Sequence, residues 1–328
     1  MSKNKNISII LAPFGIGGPN DAAKGGPDAL MKCGLKKDLL ELGFNVKVVK
    51  PSRDVMHYVS THKQIKTRNR VKNIDALLKA NSWLAKSVAS ELEKGFIPLT
   101  LGGDHSLAIG TIAGVCDVLD NVGVLWVDRH FDAHHPAVTK TWRAHGMPAA
   151  VAVAKPDFDP HPDFQRFLRI GKSTKFPKVK PENFVHFGIG EKSFTKPKTK
   201  WFLMEDINNV GIKKTVDSAI DYLLKRVKHI YIAWDIDALS VTGTGTHADD
   251  QLTLREGLVL ARAINNKLFQ KGKLAGFEMM EVAPRLERKA LKGQTVNWAS
   301  QLIVTSFGGN LFNNYSRLTA NLDIHAEP

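Results

Sequence analysis

Three ionisable residues stand at alternate positions where an apolar run stops. The run is Val122-Gly-Val-Leu-Trp-Val127, and Asp128, Arg129, His130, Phe131 and Asp132 follow it. In an extended chain the side chains at i, i+2 and i+4 share a face. Asp128, His130 and Asp132 therefore converge on one spot if strand geometry continues past Val127, with Arg129 and Phe131 facing the opposite way. Buried without partners, such groups cost several kcal/mol each. A divalent cation removes that cost, and a mixture of carboxylates and imidazoles suits Mn, Zn or Fe.

Two other apolar runs end in similar chemistry. One leads into Gly102-Gly-Asp104-His105-Ser106, the other into Asp235-Ile-Asp237. Taken singly, an Asp-x-Asp after a strand is more often a turn and helix cap than a metal site, and a single His is more often packed or capping. Together they change the reading, because ligands of open α/β sheets bind outside the carboxyl ends of the strands. His105, Asp128, His130, Asp132, Asp235 and Asp237 then meet at one edge. Four carboxylates and two imidazoles exceed the needs of one tetrahedral ion and fit two dications with bridging carboxylates. Two such ions lower the pKa of bound water from about 15.7 towards roughly 7, giving a nucleophile near neutral pH. Asp104 reads as a hydrogen-bonding neighbour that orients the ligands.

The elements that would position these residues alternate. Strand patterns fall at 7–12, 44–49, 96–101, 122–127, 184–189, 230–234 and 274–281. Helical periodicity runs from Gly26-Pro27 onward, over 74–92 with Gly95 as C-cap, and near 108–119, 216–227, 255–269 and 298–306. Residues 155–180, rich in Pro, Lys, Asp and Phe, read as loop with short helical pieces. This alternation predicts an α/β fold, a three-layer α/β/α sandwich around a central parallel sheet. With no internal repeat or linker, 1–328 reads as one domain.

At 43% hydrophobic and 24% charged, the chain can bury a large core but has no run long enough to span a bilayer. The start, Met1-Ser-Lys-Asn-Lys-Asn6, lacks a signal-peptide pattern. Cys33 and Cys116 make no disulfide framework, so the cytoplasm or another reducing compartment is expected. The net charge of +14 raises nucleic-acid binding. The densest basic run, 63–72, has no interleaved aromatics and reads as a solvated loop, so neither nucleic acid nor membrane is an expected partner.

These segments resemble the arginase branch of the ureohydrolases, which includes agmatinases and formimidoylglutamases. The resemblance is carried by Leu101-Gly-Gly-Asp-His-Ser-Leu-Ala-Ile-Gly110, Trp126-Val-Asp-Arg-His-Phe-Asp132, Ala144-His-Gly-Met-Pro148, Trp234-Asp-Ile-Asp237, Leu252-Thr-Leu-Arg-Glu-Gly257 and Met280-Glu-Val-Ala-Pro284. It implies a binuclear centre with two Mn²⁺ per chain. One ion would take His105, Asp128, Asp132 and Asp235, and the other Asp128, His130, Asp235 and Asp237. It further implies hydrolysis of a guanidino substrate, L-arginine to ornithine and urea. His145 would shuttle protons and Glu281 would hold the guanidinium, with Asp132 also among the catalytic residues. A homo-oligomer is implied, a trimer, with Arg255 and Glu256 at the place of an inter-subunit pair.

The resemblance breaks around the substrate. His134, Thr141, Ser193 and Thr246 stand where pocket residues are expected, but Ala133-His134 replaces the family's Ile-Asn. Thr141-Trp142-Arg143 replaces a small polar loop, and Ser193 replaces a carboxylate that would receive an α-ammonium group. Glu278 replaces the usual Asp. The alternative reading is a catalytically weak or silent arginase-like protein that binds metal without the arginine contacts.

Overall fold

A computed structural model of the chain describes residues 5–190, 197–246 and 250–309. Eight strands form a single sheet: β1 (Asn6–Ala12), β2 (Asn45–Val49), β3 (Ile97–Gly102), β4 (Val122–Val127), β5 (Phe184–Ile189), β6 (Lys200–Leu203), β7 (His229–Asp235) and β8 (Leu274–Met280). Their order is β2-β1-β3-β8-β7-β4-β5-β6, and every pairing is parallel.

Helices cover both faces, as expected. One face carries α1 (Gly26–Lys32), α2 (Leu35–Glu41), α8 (Met204–Val210), α9 (Ile212–Leu224), α10 (Leu254–Ala263) and α11 (Gln294–Ser306). The other carries α3 (Arg53–Thr61), α4 (Ile74–Glu93), α5 (Ala108–Cys116), α6 (Pro148–Val153) and α7 (Pro162–Leu168). The pleat divides the strands between two cores. Leu125 and Val127 of β4, with Ile232 and Trp234 of β7, pack on the first face. Val124 and Trp126, with Tyr231 and Ala233, pack on the second. This period of two, apolar on both faces, explains why the strands read as continuous hydrophobic runs.

Four expected helices have different bounds, among them the one near 216–227, which spans Ile212–Leu224. The last begins at Gln294 rather than near Trp298. The helix near 108–119 stops at Cys116. The one near 255–269 is α10 followed by a π-helical stretch, Ile264–Phe269. Gly95 takes φ +76° just past α4, the left-handed backbone that a C-terminal glycine supplies without strain.

The sheet order positions the site. β3, β8, β7 and β4 are adjacent, so the residues that follow each of them emerge side by side. The turn after β3 passes so close to the loop after β1 that a Cβ on Gly103 would lie 2.0 Å from the Phe14 carbonyl oxygen. Backbone cannot yield as a flexible side chain can. Gly103→Ala should therefore lower stability by about 1–3 kcal/mol through overpacking and displace His105. Thermal unfolding with a parallel measurement of Mn²⁺ binding checks both.

Candidate functional site

His105 lies buried in the turn after β3. Its ring stacks on Trp126 at 4.0 Å and 10°. Nδ1 faces three carboxylates: Asp128 Oδ2 at 3.0 Å, Asp235 Oδ2 at 3.2 Å and Asp132 Oδ2 at 3.4 Å. Neither ring nitrogen makes a hydrogen bond of good geometry, although both are buried. Nε2 looks towards Glu278 Oε1 at 3.8 Å. Glu278 itself accepts from the Thr111 hydroxyl at 2.5 Å and from Tyr231 at 2.9 Å.

A second group forms around His130. Its Nδ1 lies 3.1 Å from Asp237 Oδ2 and 3.5 Å from Asp128 Oδ1. Asp128 therefore belongs to two sets of convergent ligand atoms, one with His105 and Asp132, the other with His130 and Asp237. Orienting bonds surround both. Trp126 Nε1 donates to Asp128 Oδ2 at 2.9 Å, and the His130 amide donates to Oδ1 at 2.7 Å. The Asp237 amide donates to Asp235 Oδ1 at 2.7 Å. The Thr246 hydroxyl donates to Asp237 Oδ2, and Gln251 Nε2 donates to the Asp237 carbonyl at 2.6 Å.

Convergence does not come from a continued strand. β4 stops at Val127, and Asp132 reaches His105 through a left-handed backbone with φ +45°. Arg129 and Phe131 do turn away. The Arg129 guanidinium lies against Gly190, where a Cβ would sit 2.1 Å from Nη1, and Phe131 packs on His186 and Trp201.

The electrostatics describe a site that needs positive charge. Burial, then the neighbouring Asp128, pushes the Asp132 carboxyl up to about 7. Burial, with the charges of Asp237 and Asp128, holds Asp235 well above the carboxylate range. Burial also raises Asp237, with Asp128 adding to the rise. Against the burial penalty, His105 and His130 hold Asp128 below its usual range. Bound dications would supply the compensating charge to all four carboxylates at once.

Glu281 follows β8 with φ +59°. Its amide donates to the Gly103 carbonyl at 2.8 Å, and its Oε1 accepts from the His105 amide at 2.9 Å. Burial, then the charge of Asp104, raises its carboxyl well above the usual range. Asp104 accepts from the Gly17 and Ser106 amides at 2.8 and 3.1 Å, tying the loop after β1 to the turn that carries His105. The His145 amide donates to the Gly17 carbonyl at 3.3 Å. Burial, then the charges of His130 and Arg143, lowers its imidazole to about 4. It is a neutral base at neutral pH.

The other pocket residues are placed differently. The His134 amide donates to the Gly146 carbonyl at 2.8 Å, joining two loops beside the site. Thr141 is exposed and its oxygen accepts from the Arg143 amide at 3.3 Å. Trp142 turns towards His161, with rings 5.4 Å apart, and Arg143 Nη1 donates to the Gly18 carbonyl. The Thr246 hydroxyl is engaged by Asp237. Ser193 lies outside the described residues. Trp126, which holds Asp128 while stacking on His105, carries no signal of its own in the sequence beyond its two-residue spacing from Asp128.

An α/β/α sandwich with buried carboxylate and imidazole groups at adjacent strand ends defines a protein with a candidate metal centre. The model of the arginase family matches residues 5–308. Arginase-1 of Rattus norvegicus is 34% identical over 327 residues, covering 96% of each chain. The arginase of Brevibacillus brevis is 32% identical over 317 residues, covering 94% of this chain and 99% of that one. The solved arginase from Bacillus caldovelox superposes with a TM-score of 0.80 at 28% identity, covering 94% of this chain and 99% of that one. The chain belongs to the arginase family.

Because Asp128 belongs to both groups that could hold a metal ion, Asp128→Asn should weaken any divalent-cation binding at both, whereas Asp132→Asn should weaken only that at the group beside His105. Protons also compete with the ion for Asp132. As pH falls through about 7, its carboxyl takes up a proton that the metal must displace. Affinity at that position should fall as pH is lowered below 7, because binding displaces this proton together with those that the raised pKa values of His105 and Asp235 retain. Titration calorimetry between pH 6 and pH 8 reads both effects, and pH-independent affinity would refute the linkage.

Proposed function

We propose that the chain is a ureohydrolase holding two Mn²⁺ ions and hydrolysing a guanidino compound, with release of urea. The observation that carries this reading is Asp128, shared by two ligand groups, beside the buried, unbonded nitrogens of His105. By resemblance, Asp235 would be among the residues that hold both ions. The bound ions would supply a water of lowered pKa as nucleophile.

The protein's own groups do the rest. Glu281, in the strand-end turn beside His105, meets the guanidinium, and that cation restores the charge that burial suppresses on the carboxylate. Neutral His145 accepts a proton near the reacting carbon and returns it to the leaving amine. Asp132 fixes the ion beside His105. The tight neighbours Asp104, Gly103 and Gly17 keep these groups in register. Arginine, converted to ornithine and urea, is the substrate that the family resemblance suggests.

A second reading is a weak or silent arginase-like protein that binds metal. It is favoured by the mouth of the site. Thr141 is exposed and engaged by the Arg143 amide, and Arg143 brings a cationic side chain to the Gly18 carbonyl beside His145. An α-ammonium group gains nothing from that surface. Assembly as a homo-oligomer, a trimer by resemblance, belongs to both readings. In this chain Glu256 accepts the Thr253 amide at 2.8 Å and closes a helix cap.

The readings part on turnover. Protein loaded with Mn²⁺ should release urea from arginine, agmatine or an ω-guanidino acid, and His145→Asn should lower kcat by about 10²–10⁴-fold with metal content unchanged. Two bound ions with no urea from any of these compounds would leave the silent reading. A protein that binds no Mn²⁺ would overturn both.

A further inference from the structure

His186 is fully buried on β5, on the core face where an aromatic hydrocarbon would pack as well. Both its ring nitrogens are engaged. Nε2 lies 3.0 Å from the Phe131 carbonyl oxygen, and Nδ1 lies 2.9 Å from Thr199 Oγ1. Trp201 Nε1 donates to the same Thr199 oxygen at 3.0 Å. The protons of this chain follow from the groups themselves. A carbonyl only accepts, so Nε2 carries the hydrogen. Burial lowers the imidazole to about 4, so the ring is neutral and Nδ1 accepts from the Thr199 hydroxyl.

The register gives this relay its meaning. Trp126, His186 and Trp201 are partners across β4, β5 and β6, and partners in a parallel sheet share a face. Trp126 holds the near end of the metal segment by donating to Asp128. His186 holds its far end, at the residue before Asp132. Phe131 is clamped edge-to-face between His186 at 5.2 Å and Trp201 at 5.4 Å. Asp132 sits in a sparsely populated left-handed backbone, a conformation that persists only where the surroundings enforce it.

We infer that His186 is a positioning residue for the metal centre: its Nε2–H fixes the Phe131 carbonyl, hence the backbone of Asp132, and so sets the affinity for the ion beside His105. This rests on the metal reading above. The row of Trp126, His186 and Trp201 makes the sheet face a template for the whole 128–132 segment, with Thr199 fixing which nitrogen of His186 donates.

The test compares His186→Phe, which keeps a buried ring without the donor, with His186→Gln, whose amide nitrogen can restore it. Thr199→Val, at a partly exposed site, breaks the relay at its outer end. Mn²⁺ is titrated calorimetrically, and the exchange-coupled signal of a manganese pair is followed by electron paramagnetic resonance. His186→Phe should weaken one of the two ions by about 10-fold or more, the scale of losing a partner that orients a ligand, and abolish the coupled signal. His186→Gln should recover most of both, and Thr199→Val should show a smaller loss of the same ion. Wild-type affinity in His186→Phe overturns the inference, as does His186→Gln binding no better than His186→Phe. If His186→Phe does not fold, Thr199→Val decides, and wild-type affinity there overturns it. Absence of Mn²⁺ from the unsubstituted protein sinks the metal reading itself, a result distinct from equal binding by all variants.

Discussion

Concentrating four carboxylates in a dry pocket is the constraint on which this molecule turns. Asp128, Asp132, Asp235 and Asp237 are brought together by the ends of β4 and β7, and burial with mutual repulsion raises all but Asp128. The imidazoles of His105 and His130 answer only part of that charge. A buried cluster of this kind is unfavourable unless something cationic joins it. The sheet order makes it possible, because β3, β8, β7 and β4 lie side by side and each contributes its own terminal turn. Close packing of Gly103 on the Phe14 carbonyl then fixes where those turns sit relative to one another.

The sheet, its parallel sense and the carboxylate and imidazole residues gathered at its edge could be read from the sequence, because they rest on local pattern. Apolar runs such as 122–127 and 230–234 announce buried strands, and polar clusters at their ends announce an edge. What the pattern does not show has physical reasons. α3 buries only Val55 and Val59 of its nine residues and is otherwise polar, so its apolar stripe is too short to announce a helix, although Ser52 caps it through the Val55 amide. β6 is a four-residue edge strand with no buried residue. The left-handed backbones at Asp132 and Glu281 are imposed by tertiary contacts and use no glycine, so no residue type signals them.

Asp128, His130 and Asp132 meet only through Asp128, which joins Asp132 in one group and His130 in another, and they do so by a geometry other than the expected one. Alternation along a strand predicts their convergence, yet the strand ends before the first of the three. The segment is held instead by bonds from neighbouring strands: Trp126 to Asp128, the His130 amide back to Asp128, and His186 to the Phe131 carbonyl. Cross-strand register is information that no single stretch of sequence carries. The same holds for Thr246, whose hydroxyl reaches Asp237 across nine residues.

The departures from the family pattern therefore fall into two kinds with different consequences. Phe131 and Arg129 are bulky, but both point away from the ligands and pack against β5, β6 and Gly190, so they leave the centre intact. Thr141, Trp142 and Arg143 lie on the loop that passes the mouth, where Trp142 leaves towards His161 and Arg143 stays beside His145. A substitution in the first group acts on how rigidly the carboxylate and imidazole groups are held; one in the second acts on the loop beside His145. The two groups have different partners, Phe131 and Arg129 packing on His186, Trp201 and Gly190 while Trp142 and Arg143 reach His161 and the Gly18 carbonyl, so a change in one need not disturb the other.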